Sequence, residues 1–298
     1  MRRLCTLSLI AVLAGVLGLA SANAAQQPAT IKDLDSRQVE VKPDPPQGVD
    51  MAKTMESYRR FLDLNAGDGT LRAEALRRLG DLNLESAESA RIEAELANNE
   101  ALHASEAIAL YTALLKTYPN FERNDSVLYQ LARAYETSLQ PELALASLDR
   151  LVQTYPGSRL LDEAQFRRGE LLFSAKQYPA AQLAYEAVIQ FGKSSQFYNQ
   201  SYYKHGWSLF KQGENERSLA SFAAVLDALL VSRSDAGALI EVESLSRPNQ
   251  ELVEDTLRVM SITFSYADGA KTLDAFLAQG KPRPYAYVLY ARLGDLYM

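Results

Sequence analysis

The chain has 298 residues, 47% apolar and 23% charged, enough to bury one large core or a stack of smaller units. Its 31 basic and 37 acidic residues give a net charge of −6, and the cations sit in scattered pairs such as Arg77-Arg78 and Arg167-Arg168. That pattern excludes the basic footprint of a nucleic-acid binder, and the composition excludes a disordered or fibrous chain.

Residues 1–24 open with two arginines, run apolar from Leu4 to Ala20 and end on Ala22-Asn23-Ala24, an A-x-A arrangement. The pattern predicts a cleaved secretory signal peptide. A single-span anchor is the alternative, but the run is short and holds glycine, and no stop-transfer flank follows. Cys5 lies too close to the start to be a lipid-bearing cysteine at the cleavage site, so a lipoprotein is not expected. Removing 1–24 takes away the only cysteine and two arginines, leaving 29 basic against 37 acidic residues, a charge of −8 without disulfides. Residues 25–50 hold four of the eleven prolines and no helical period, as a flexible tether does.

From residue 51 the chain repeats itself. Thr-Tyr-Pro occurs at Thr117 and at Thr154, and the small residues Ala132, Gly169 and Gly206 fall at equal steps of 37. Ala144, Leu148, Leu151 and Pro156 follow the first of these, and the same spacing recurs in Ala107, Tyr111, Leu114 and Pro119. Its first three places recur again in Ala181, Tyr185 and Val188. The spacing predicts a helix, a turn, and a second helix closed by Tyr-Pro. Small residues let two helices approach while large ones beside them fill the groove, and neither helix buries its stripe alone. Leu79-Gly80 heads an earlier pair whose second helix is expected near Ala107. The insertion at about 85–106, free of Gly and Pro, reads as extended or additional helix. A second insertion at about 232–249 precedes a fifth unit, ELVEDTLRVMSITFSY, and Pro284 opens a last helix without a second, about five and a half pairs in all. There Tyr290, Leu293 and Tyr297 are expected as the apolar stripe, left half-covered and prone to fray or self-associate.

The segments YQLARAYE with LALASLDRLVQTYP, FRRGELLF with YPAAQLAYEAV, and LGDLY at 293–297 resemble the tetratricopeptide repeat. The resemblance implies an all-α, right-handed α-solenoid over 51–298 whose concave surface takes a protein segment. A narrower similarity, carried by TIKDLDSRQVEVKPD, YYKHGWSLFKQGENERSLASF and ELVEDTLRVMSITFSYADG, is to the amino-terminal part of large exported repeat proteins of Gram-negative bacteria associated with TonB-type systems. It implies a periplasmic location and a protein partner in an envelope complex.

Catalytic patterns are missing. His103 and His205 have no second His or Cys within helical reach, and the fifteen glycines form no phosphate cradle and no nucleophile elbow. Glu85, Glu88, Glu93, Glu95, Glu100 and Glu106 read as a solvated helix face rather than a cation site. Glu-Ser dipeptides at 85, 88 and 243 lack the context of peptidoglycan-cleaving enzymes. The expectation is a scaffold, not an enzyme, with no cofactor, metal or nucleic acid. The alternatives are a structural spacer, or the superhelical accessory region of a peptidoglycan-acting enzyme. Candidate binding residues lie three before, one after and four after each small residue, about 100° around the helix from the packing stripe. They are Tyr129, Arg133 and Glu136, then Phe166, Glu170 and Phe173, then Tyr203, Trp207 and Phe210, with Arg258 from the fifth unit. In tetratricopeptide repeats this stripe lines the concave groove, where the aromatics would grip apolar side chains and the arginines carboxylates. Packing of the same aromatics against the preceding unit is the competing reading.

Overall fold

The computed structural model describes residues 50–64, 68–93, 100–232, 238–279 and 282–298, apart from the side chains of 91–102. The expected signal peptide at 1–24 and all but the last residue of the expected tether at 25–50 lie outside these. The described residues hold twelve α-helices and no strand. Helix α1 (Met51–Asp63) precedes five pairs: α2 (Gly69–Glu93) with α3 (Glu100–Thr117), α4 (Asn124–Thr137) with α5 (Pro141–Thr154), α6 (Leu161–Ser174) with α7 (Tyr178–Gln190), α8 (Tyr198–Lys211) with α9 (Asn215–Leu230), and α10 (Arg247–Ser265) with α11 (Ala270–Ala278). Helix α12 (Ala286–Tyr297) follows alone. From α1 onward each helix packs on the next in sequence, α2 also touches α4, and α12 also lies on α10. The result is an α-solenoid of helix pairs.

Local chemistry sets these boundaries. Helices α3 and α5 end at Thr117 and Thr154, immediately before Tyr-Pro, because a proline there can neither donate an N–H nor continue the helix. Pro141, Pro179 and Pro248 sit in the first turn of α5, α7 and α10, where a missing N–H costs nothing. Between the helices of three successive pairs, Leu139, Lys176 and Gly213 have φ of 57°, 61° and 80°, each 37 residues from the next. After each of them the chain returns an N–H to the preceding helix, Gln140 to Tyr135 O at 2.8 Å, Gln177 to Leu172 O at 2.9 Å and Glu214 to Leu209 O at 3.0 Å. That is a helix-closing turn with one left-handed residue.

Within a pair, a first-helix glycine receives a second-helix ring. A Cβ built on Gly80, Gly169 or Gly206 would come within 2.6, 2.5 and 2.6 Å of Tyr111, Tyr185 and Phe222 respectively. In the pair between the first two of these the equivalent residues are Ala132 and Leu148, both buried in one cluster. The methyl gained on one side is offset by the smaller side chain on the other.

Several boundaries differ from those expected. The first insertion lengthens both helices of its pair: α2 runs 25 residues, and α3 begins at Glu100 rather than near Ala107. Helix α10 begins at Arg247, inside the expected 232–249 insertion, because Pro248 suits a first turn. The stripe expected on α12 is corrected at one place, Leu293, which is buried rather than half-covered. Tyr285, Leu289 and Leu293 are buried at four-residue steps, whereas Tyr290 and Tyr297 are 43% and 63% exposed. The helix is turned this way because Tyr285 donates to Asp227 Oδ1 of α9 at 2.5 Å, fixing its first turn against the preceding pair.

The glycine contact yields a prediction about stability. Gly169→Ala forces a methyl into the Tyr185 ring and is expected to lower unfolding free energy by about 1–3 kcal/mol. Adding Tyr185→Leu recreates the Ala132–Leu148 combination and should recover part of that loss. Urea denaturation of the two single variants and the double variant measures the coupling; additive losses would show that the two side chains do not meet.

Candidate binding surface

The stripe beside the packing positions of the first helices holds two kinds of contact. The first is a ladder of ion pairs. Arg133 of α4 donates to both carboxylate oxygens of Glu88 on α2 at 2.6 Å. Arg167 of α6 donates to Glu136 of α4 at 3.0 Å, and Lys204 of α8 to Glu170 of α6 at 2.7 Å. Arg292 of α12 pairs with Glu254 of α10. In every case the acid lies on the earlier first helix and the cation on the later one. Each pair is partly exposed and contributes about 0–1 kcal/mol, so the ladder sets register more than stability.

The second is a cluster of rings. Trp207 lies edge-on to Tyr203 at 6.4 Å and to Phe210 at 5.5 Å, and Phe210 continues to Tyr266 at 6.0 Å. The Lys211 ammonium sits 5.8 Å from the Trp207 ring centre, within cation–π range. Tyr203, Trp207 and Phe210 are half-buried, and Tyr266, at the end of α10, is 74% exposed. Burial holds the Tyr203 phenol above its ordinary pKa, with Asp255 raising it and Arg258 lowering it.

The expected site residues therefore divide. Tyr203, Trp207 and Phe210 come together. Arg258 stands at the edge, 71% exposed, donating to Asp255 at 2.5 Å. Phe173 is half-buried beneath Lys204, whose ammonium is 5.9 Å from its ring centre. Arg133 and Glu170 belong to the ladder, and Glu170 also accepts from Tyr185 at 2.5 Å. Phe166 stacks on Phe197 at 4.8 Å and meets Tyr185 edge-on at 5.9 Å. Tyr129 is a correction. It is 6% exposed and part of the core, its hydroxyl bonded to Glu163 and accepting from Arg167 Nε at 2.7 Å. The solvated face expected over 85–106 is corrected in part, since Glu88 is held by Arg133 and Glu106 by Arg59 of α1 at 2.8 Å. Glu93, Glu95 and Glu100 fall outside the described side chains.

Tyr266 is the residue that sequence periodicity missed, because it lies past the end of its repeat at a helix terminus. The aromatic run Phe264-Ser265-Tyr266 was the available signal. His205 occupies a packing position on α8. Its Nδ1 lies 2.9 Å from Ser221 Oγ, while Nε2 is buried without a partner among the described residues. Ser221 Oγ itself donates to Arg217 O at 3.2 Å, so it accepts from Nδ1–H and leaves Nε2 unprotonated. Among the described residues no group of His, Cys, Asp and Glu could hold a metal ion, and no helix is long and apolar enough to cross a membrane.

A family profile for the tetratricopeptide repeat matches residues 126–158 and 200–228, the pairs α4–α5 and α8–α9. With the packing above, it identifies tetratricopeptide repeats at these two pairs within an α-solenoid of tetratricopeptide-like helix pairs. Similar solved structures include a tetratricopeptide repeat protein from Parabacteroides merdae, 17% identical, covering 83% of this chain and 80% of its own, with a TM-score of 0.49. MamA from Desulfovibrio magneticus RS-1 is 15% identical over 73% of this chain and 94% of its own, with a TM-score of 0.45. BtubC from P. vanneervenii is 13% identical over 78% and 92%, with a TM-score of 0.47. No curated protein matches the sequence.

His205 gives the surface a pH dependence of stability. Burial, its largest influence, pushes the imidazole below its ordinary value of 6.5, against the attraction of Glu186 and with the repulsion of Arg217. The folded state thus favours neutral imidazole. Stability is fully present above pH 6.5 and is lost as pH falls toward the lower folded value. Urea midpoints at pH 7.5 and pH 5.0 should fall further apart in the wild type than in His205→Gln; equal shifts would show that His205 carries no such linkage.

Proposed function

We propose that the protein is a non-catalytic scaffold whose first-helix face binds a protein segment at the cluster of Tyr203, Trp207, Phe210 and Tyr266. The observation that carries this reading is the cluster itself: four connected rings, three half-buried and one exposed, with Lys211 and Arg258 at the margin. Rings of this kind supply large apolar contact at little entropic cost and are the usual anchors of interfaces. An apolar side chain of the partner would rest on Trp207 and Tyr266, and a carboxylate would meet Lys211 or Arg258. The expected stripe residues Arg133, Phe166, Glu170 and Phe173 extend this surface toward α4. The leader pattern of residues 1–24 supports a periplasmic setting, and the narrower resemblance supports a place in a TonB-type or other envelope complex. The reading includes self-association through α12, whose outward face carries Tyr287, Tyr290 and Tyr297.

The test uses photo-crosslinkers placed singly at Tyr266 and at Leu183, which is 63% exposed on a second helix. Protein adducts are expected from Tyr266 and not from Leu183. Tyr266→Ala should weaken capture of the crosslinked partner by at least about 1 kcal/mol while leaving the thermal midpoint unchanged. Adducts from Leu183 alone would favour the spacer alternative.

A further inference from the structure

The second-helix side of the solenoid contains the same seam three times, and the seams are filled differently. Each is floored by the residue one before the small position of a first helix. On α6 that residue is Arg168, which crosses to α5 and donates to Asp149 Oδ1 at 2.5 Å. On α8 it is His205, which reaches Ser221 of α9. On α4 it is Leu131, which carries no polar group to cross the seam. There a groove of about 490 Å³ lies open between α3 and α5.

The walls of this groove combine two chemistries. Leu115, Leu128, Leu131 and Leu143 give it an apolar floor, and Leu143 is 46% exposed. Lys116 of α3 and Arg150 of α5 line it from opposite helices, both exposed, and no acidic residue is among its lining. At the corresponding places of the next seam stand Gln153 and Ala187, so the paired cations are particular to this one. Two like charges facing one apolar trough repel each other, and a carboxylate between them relieves that repulsion.

We propose that this groove is a docking site for an acidic amphipathic segment of a protein partner, its apolar side chains on the leucines and its carboxylates on Lys116 and Arg150. The site lies on the opposite helices from the aromatic cluster and does not depend on that reading.

Two labelled 18-residue peptides provide the probe, with the same helical leucine stripe flanked by glutamates in one and by lysines in the other. Fluorescence anisotropy with the full chain at low salt should show binding of the glutamate peptide only, weakening as salt rises. Lys116→Glu with Arg150→Glu should reduce that affinity at least tenfold. Leu131→Arg with Thr112→Asp rebuilds the Arg168–Asp149 pair inside this groove and should abolish binding while circular dichroism shows the helical fold retained. Tyr266→Ala should leave binding as it is, which separates failure of this site from failure of the aromatic one. The proposal is overturned if neither peptide binds, if both bind equally, or if the charge-reversed variant binds as the wild type does. Preference for phosphatidylglycerol vesicles over the glutamate peptide would equally overturn it, in favour of a lipid surface.

Discussion

The contact on which three of the five helix pairs depend is a ring lying on a glycine. It brings two helices closer than any side chain on the first would permit, and it decides what the neighbouring residue has to be. Tyr111 and Tyr185 are fully buried, and each phenol needs an acceptor. The residue directly after the glycine supplies it: Asp81 accepts from Tyr111 at 2.8 Å and Glu170 from Tyr185 at 2.5 Å. Burial and the adjacent carboxylate both push these phenols above their ordinary range, so they remain donors. Phe222 carries no hydroxyl, and the residue after Gly206 is released from this duty. It is Trp207, the centre of the aromatic cluster. The candidate site thus opens where a core phenylalanine replaces a tyrosine.

The ion-pair ladder shows the same transition. Acid-to-cation pairs join α2 to α4, α4 to α6 and α6 to α8, and another joins α10 to α12. Between α8 and α10 contacts of another kind occur, with Phe210 meeting Tyr266 and Tyr203 lying near Asp255 and Arg258. A solvated ion pair is nearly neutral in stability and saturates its own charges. Half-exposed rings leave apolar area that water covers poorly. Replacing one rung by rings therefore turns a register-setting seam into a half-exposed apolar surface.

What could be read from the sequence follows from what is local and periodic. The 37-residue step, the small residues at 132, 169 and 206, and the Tyr-Pro stops are each fixed by a turn or by a helix–helix approach within one pair, so they recur in the text. The long helices α2 and α3 were legible because 85–106 contains neither Gly nor Pro. The side a residue faces was harder, since one position turns a helix by about 100°. Tyr203, Trp207 and Phe210 stayed on the expected stripe, whereas Tyr129 entered the core, where Arg167, a whole repeat away, donates to its hydroxyl. No spacing rule within a single repeat contains that partner. Tyr266 escaped for a similar reason, being joined to Phe210 across 56 positions of chain rather than by helical period.

The pentapeptide Arg78-Leu79-Gly80-Asp81-Leu82 recurs unchanged at Arg292-Leu293-Gly294-Asp295-Leu296. In the first copy Tyr111 covers the glycine; in the second, a Cβ built on it would meet nothing within 4 Å outside its own helix backbone among the described residues. Yet Leu289 and Leu293 are buried, and Tyr285 is anchored on Asp227 of α9. The same five residues therefore specify a socket and not its occupant. A first helix has one face for the unit before it and another for its own second helix, and α12 is placed by the former alone. Order in this solenoid passes from each unit to the next through that rear face. The glycine socket then closes the pair, and the remaining sides of the helices are free to vary in chemistry, acidic and basic in α4 and α6, aromatic in α8.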